Sequence, residues 1–72
     1  MSADSSSTAS LQKKAIDAAL NCNWQQALEL NLEIIKQEPN SVECLNRLAK
    51  AYLELGNYKE SQKFYKEVKT LN

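Results

Sequence analysis

Apolar residues recur along most of the chain at intervals of three and four, the periodicity of an α-helix with one buried face. The pattern is interrupted three times, so it predicts four helices, over about residues 8–21, 24–38, 41–55 and 58–71. No stretch alternates apolar and polar residues for long enough to predict a strand. One Gly and one Pro in 72 residues also leave little scope for a turn-rich β protein. We therefore expect an all-α fold.

Two of the three interruptions carry the same punctuation, 34 residues apart: Cys-Asn-Trp at residues 22–24 and Gly-Asn-Tyr at residues 56–58. Gly56 fits the position just past a helix end, where the backbone adopts a positive φ. Cys22 occupies the matching position, at a steric cost. Each Asn has Gln or Glu three residues later, which predicts a capping box at the start of the next helix. A third box is predicted at residues 40–43.

The chain aligns with itself at the same offset of 34 residues, and the paired residues agree in size and polarity. The pairs include Leu11 with Leu45, Ala15 with Ala49, Cys22 with Gly56, Trp24 with Tyr58, Ala27 with Ser61 and Ile34 with Val68. Small residues recur where two helices must approach closely, and rings recur beside the tight turns. A helix-turn-helix unit of this length resembles the tetratricopeptide repeat.

The second copy carries most of this resemblance, through Leu45, Leu48, Ala49, Tyr52, Gly56, Tyr58, Ser61, Tyr65 and Val68. The first copy departs from the family pattern at Lys14, where a large apolar residue is usual, and at Asn31, where an aromatic residue is usual. The resemblance implies two antiparallel helix-turn-helix hairpins, with four helices in all, stacked as a short right-handed solenoid. Repeat one would cover residues 8–41 and repeat two residues 42–72.

The start of the chain, MSADSSS at residues 1–7, is polar and Ser-rich and predicts a flexible, solvated tail. It shows no secretory pattern, and no later stretch provides the about 20 apolar residues that a membrane-spanning helix needs. We therefore expect a cytoplasmic protein without a membrane partner. Nine basic and nine acidic residues cancel, so we expect no nucleic-acid partner either, because such binders carry a basic surplus.

The residue types offer no catalytic or metal-binding set. The absence of His removes the commonest general base and the usual partner of a Ser or Cys nucleophile. Cys22 and Cys44 cannot by themselves supply the four ligands of a structural zinc site. In the repeat register they lie about 18 Å apart along the helices, beyond the about 7 Å that a disulfide spans. We expect no enzymatic activity, no cofactor and no metal.

The resemblance implies a scaffold for protein–protein interaction, with a protein or peptide bound on a concave face formed by the first and third helices. The residues that would line this face are Gln12, Lys13, Ile16, Leu20, Glu43, Asn46, Arg47, Lys50 and Leu53. Asn, Lys and Arg on one rigid face can hydrogen-bond a peptide backbone and its carboxylates.

One subset of the family holds the terminal carboxylates of heat-shock chaperones with Lys, Asn and Arg residues from three repeats. Gln12 and Ile16 stand where its first Lys and Asn would be. In the other register Arg47 fits, but Glu43 replaces a Lys and would repel a carboxylate. A chaperone-tail carboxylate clamp is therefore not expected.

Self-association is the alternative function. Repeat stacks usually need about three repeats or a polar capping helix, whereas this chain shows two repeats. The last helix carries an apolar stripe formed by Phe64, Tyr65, Val68 and Leu71. We expect this stripe to form a homodimer; alternatively, the chain is an excerpt of a longer array.

Overall fold

The computed structural model describes residues 3–71, with side chains from residue 8 onward. It contains α1 (Ala3–Leu20), α2 (Trp24–Gln37), α3 (Val42–Glu54) and α4 (Tyr58–Leu71), and no strand among the described residues. The all-α prediction with four helices is confirmed. The Ser-rich composition predicted a tail over residues 1–7, whereas the helix already includes residues from Ala3, because Ser and Asp are well tolerated at the start of a helix. Residues 1 and 2 lie outside the described part.

Each helix packs against the next one along the chain: α1 against α2, α2 against α3, and α3 against α4. The tight turns after α1 and α3 reverse the chain direction, so α1 with α2 and α3 with α4 form two antiparallel hairpins. The contact between α2 and α3 stacks one hairpin on the other.

Small residues let the two helices of each hairpin approach closely. Ala15 and Ala27 in the first hairpin, and Ala49 and Ser61 in the second, are all almost fully buried. The Ser61 hydroxyl donates a buried hydrogen bond to the Ala49 carbonyl oxygen at 2.8 Å. This bond places a side chain of α4 directly against the backbone of α3, where a larger residue would separate the two helices.

The largest apolar side chains of the core lie on the facing sides of α2 and α3. Ile34, Leu45 and Leu48 are fully buried there. Half-buried rings extend the core towards α4, where Tyr52 stacks on Phe64 with 5.7 Å between ring centroids and an interplanar angle of 8°. Ring stacking of this kind adds to the gain from apolar burial.

The turn between α1 and α2 is a Schellman motif, in which two backbone N–H groups fold back onto the preceding helix. The Asn23 N–H donates to the Ala18 carbonyl oxygen at 2.8 Å, and the Cys22 N–H donates to the Ala19 carbonyl oxygen at 2.9 Å. Cys22 adopts a φ of 58°, in the left-handed region. The steric cost expected from the sequence is therefore present.

The turn between α3 and α4 repeats this geometry 34 residues later. The Asn57 N–H donates to the Tyr52 carbonyl oxygen at 2.8 Å, and the Gly56 N–H donates to the Leu53 carbonyl oxygen at 3.1 Å. Gly56 adopts a φ of 85°. The same turn is thus built once with Gly and once with Cys22 in the left-handed position.

The capping boxes predicted at Asn23 and Asn40 are wrong. The Asn23 side chain makes no capping hydrogen bond, because its backbone (φ −89°, ψ 73°) is not in the extended conformation typical of such caps. Its amide nitrogen instead donates to Gln26 Oε1 at 2.8 Å. The third helix is capped one residue later than predicted, by Ser41, whose hydroxyl oxygen accepts from the Cys44 N–H at 3.2 Å.

The two left-handed positions generate a paired prediction. Cys22→Gly should raise the free energy of unfolding by up to about 1 kcal/mol, because relief of left-handed strain exceeds the added entropy of an unfolded Gly. Gly56→Ala should lower it by about 1 kcal/mol through the backbone alone, because an added Cβ meets nothing within 4 Å. Urea unfolding of both variants measures these changes. Cys22→Ala is the control: if it stabilises as much as Cys22→Gly, the effect belongs to the thiol.

Candidate functional site

Helices α1, α2 and α3 together surround a recess of about 200 Å³, referred to below as the central recess. It is lined by Ala19 from α1, by Trp24, Ala27 and Asn31 from α2, and by Asn46, Arg47 and Lys50 from α3. Ligand pockets usually span about 300–1,000 Å³. The central recess is smaller than this and suits one side chain of a bound chain.

A buried amide, that of Asn31, forms the base of the central recess. Asn31 is 1% exposed, and its amide nitrogen donates to the Ala27 carbonyl oxygen at 2.8 Å. Its amide oxygen accepts from Arg47 Nε at 2.9 Å, while its backbone oxygen accepts from the Cys44 thiol at 3.2 Å. A buried polar side chain is stable only when its hydrogen bonds are made, and here these bonds join α2 to α3.

Arg47 is held by this amide on one side only. Its Nη2 atom is buried and has no hydrogen-bond partner among the described residues. An unpaired buried donor costs about 1–3 kcal/mol, and a guanidinium stays charged at any physiological pH. The central recess therefore carries a fixed positive charge with unused hydrogen-bonding capacity.

Lys50 provides a second cation at the same recess. Its Nζ lies 5.8 Å from the centroid of the Trp24 ring, within the range of a cation–π interaction. It also lies 2.9 Å from a carboxylate oxygen of Glu54. The hydrogen bond to Glu54 raises the pKa of Lys50, so the amine stays protonated. None of the residues that line the recess is acidic.

The residues predicted to line the concave face divide into two groups. Asn46, Arg47 and Lys50 line the central recess. The others lie on α1 and α3 outside it: Gln12 is half-buried, and Lys13, Ile16, Leu20, Glu43 and Leu53 are exposed. Exposure is greatest for Leu20, at 76%.

The contribution of α2 was missed at the sequence level. Trp24 was interpreted as a residue of the turn, and Asn31 only as a departure from the family pattern. The signal that could have found the site is the polar Asn31 on the otherwise apolar face of α2, since a buried amide requires partners on a neighbouring helix.

The stripe predicted for self-association is partly covered by the fold. Phe64 and Val68 are half-buried, whereas Tyr65 and Leu71 are 40% and 43% exposed. Beside the stripe, a recess of about 280 Å³ is lined by Gln62, Tyr65, Lys66 and Lys69, all on α4.

Both cysteines are free thiols in contrasting surroundings. Cys22 is exposed and Cys44 is buried. Burial raises the pKa of the Cys44 thiol to about 11, although the charge of nearby Arg47 partly opposes this shift. Because the thiolate is the nucleophile, Cys44 is unreactive in the folded protein.

Two further searches of residues 3–71 define what the described part lacks. It contains no group of three or more His, Cys, Asp or Glu side chains that could hold a metal ion. None of its helices is both long and apolar enough to cross a lipid bilayer.

Comparison with known families matches this architecture. The family model described as "Tetratricopeptide repeat" matches residues 23–63, which include α2, α3 and the first part of α4. This is more than half of the chain, so the protein belongs to the tetratricopeptide repeat family. Its four helices are consistent with two repeats of a helical-hairpin solenoid, and members of the family generally mediate protein–protein interactions. Comparisons with curated proteins and with solved structures gave no match.

The buried thiol predicts a pH dependence of stability. The pKa of Cys44 is about 11 in the folded state against an ordinary 9.0, so the unfolded state loses this proton first as the pH rises. The contribution is fully present below about pH 9 and is lost towards pH 11. Over this range, the free energy of unfolding should fall more steeply for the wild type than for Cys44→Ala. Cys22→Ala, the matched control, should keep the wild-type slope; equal slopes for all three proteins would contradict the assignment.

Proposed function

We propose that this protein is a non-catalytic interaction module that binds an extended peptide segment on the concave face formed by α1 and α3. The observation that supports this most is the combination of a cationic recess with large exposed apolar side chains on the same two helices. Ile16, Leu20 and Leu53 are 42%, 76% and 40% exposed. Exposed apolar groups beside polar ones are typical of interaction sites.

The side chains on this face match the chemistry of an extended peptide. Such a peptide presents unpaired backbone N–H and C=O groups, and the amides of Gln12 and Asn46 can donate to or accept from either. Ile16 and Leu53 would pack against apolar side chains of the peptide. Because the face is built on two packed helices, binding would require little reorganisation of the protein, which favours affinity.

Peptide display tests the proposed face. A library of random peptides is selected on the wild-type protein, and the affinities of selected peptides are measured by fluorescence anisotropy. Ile16→Lys and Leu53→Lys should each weaken binding at least about tenfold, because a charge replaces an apolar contact. Leu55→Lys is the matched control, since Leu55 is 38% exposed and lies on roughly the opposite side of α3.

Two results would count against this function. Selection could yield no binding peptide, or the selected peptides could bind both variants as tightly as the wild type. Either result would move the interaction away from the concave face.

The apolar stripe on α4 supports a second candidate function, self-association. α4 packs against α3 alone among the helices with which it shares substantial contact, and Tyr65 and Leu71 remain open to solvent. We infer that a second copy of the chain covers the stripe formed by Phe64, Tyr65, Val68 and Leu71, and that the protein forms a homodimer.

Light scattering across a hundredfold range of protein concentration tests the homodimer. The wild-type mass should rise from that of a monomer to that of a dimer, because association follows mass action. Val68→Lys should remain a monomer throughout, whereas Leu55→Lys should behave as the wild type. A monomer mass for the wild type at every concentration would exclude the dimer.

A further inference from the structure

We propose that the central recess is a subsite for an acidic side chain, in which Arg47 binds the carboxylate of a Glu or Asp in the bound peptide. Asn31 is the positioning residue of this subsite. The inference rests on the proposed peptide-binding function of the concave face and names the chemistry that the middle of this face selects.

The unpaired side of the Arg47 guanidinium points to an anion. Nε is occupied by the Asn31 amide oxygen at 2.9 Å, while Nη2 is buried and has no partner among the described residues. A donor shielded from solvent gains most from a partner that carries charge, and a carboxylate matches the planar fork of a guanidinium. A bound acidic side chain would supply the hydrogen bond that the free protein lacks.

The walls of the recess favour a carboxylate on a short aliphatic stem. Ala19, Ala27 and the ring of Trp24 line it with apolar atoms, which would pack against the methylene groups of Glu or Asp. A purely apolar side chain would leave the guanidinium unpaired, and a neutral amide would form a weaker hydrogen bond with it.

The charge of the recess matches one negative charge. Lys50 already pairs with Glu54 at 2.9 Å, so Arg47 is the cation without an acidic partner. A single guanidinium suits a carboxylate better than a dianionic phosphate. Glu43, which would repel a carboxylate, does not line the recess.

Asn31 acts through Arg47 and not on the ligand. It is 1% exposed and uses its amide nitrogen on the Ala27 carbonyl oxygen, which fixes the direction of its amide oxygen. Its loss would release the Nε anchor and let the guanidinium turn away from the recess. Replacing a buried polar residue by an apolar one of similar size is often neutral or stabilising, so stability and affinity should change separately in Asn31→Leu.

Affinities for matched peptides test the subsite. The probes are a display-selected peptide with an amidated C-terminus and the same peptide with each Glu and Asp replaced by Gln and Asn. The wild type should bind the acidic form at least about tenfold more tightly than the amide form. Arg47→Gln should abolish this difference, Arg47→Lys should restore part of it, and Asn31→Leu should reduce it without lowering the free energy of unfolding.

The control variant is Lys63→Gln, which removes an exposed charge from α4 and should leave both affinities unchanged. Circular dichroism of each variant confirms folding, and Arg47→Lys keeps the test valid if Arg47→Gln does not fold.

Three outcomes would overturn the inference, and they are distinguishable. Peptides that still depend on Ile16, but bind equally in acidic and amide form, would overturn the acidic subsite and leave the proposed function standing. Binding that disappears when only the terminal carboxylate is amidated would replace a side-chain subsite by a chain-end site. Failure to select any peptide would overturn both the subsite and the proposed function.

Discussion

The fold depends on one residue in each hairpin that adopts the left-handed backbone conformation. A positive φ at Cys22 turns the chain so that the N–H of Asn23 closes the first helix while its carbonyl oxygen accepts the N–H of Ala27 in the next. Asn57 has the same double role in the second hairpin. One Asn therefore ends one helix and begins another, which fixes the separation and register of the pair. Only in that register do the small residues of the facing helices come into contact.

The contact between the hairpins combines apolar packing with a polar link. Ile34 and Leu48 are fully buried in it, and beside them the Asn31 amide joins α2 to Arg47 on α3. Such a link carries a desolvation penalty that a fully apolar contact would avoid. Its position at the base of the proposed ligand site indicates a compromise between stability and recognition, of the kind common where proteins bind. The departure of Asn31 from the family pattern thus has a structural consequence at the surface.

The features that the sequence predicted well are those determined by local spacing. The helical period, and the left-handed positions at Cys22 and Gly56, depend on neighbouring residues alone, so the four helices and their repeat could be inferred without the structure. The start of α1 was not predicted, because its Ser-rich first turns have no apolar period. The Asn23 cap was missed because it depends on the backbone angle at the Asn. The central recess could not be predicted because it forms only where three helices meet, and the chain pattern does not give the direction of the Arg47 side chain.

The sparse burial of α4 has a consequence for the dynamics of the protein. Among the described residues of this helix, Ser61 alone is fully buried, while the core residues of α2 and α3 lie behind it. Elements with few buried contacts open at a lower free energy than the whole domain, as cooperative units. The amide protons of α4 would therefore exchange with solvent through a partly open form in which the other three helices remain folded. A partner that covered this helix would suppress such opening and so extend the cooperative unit to the whole chain.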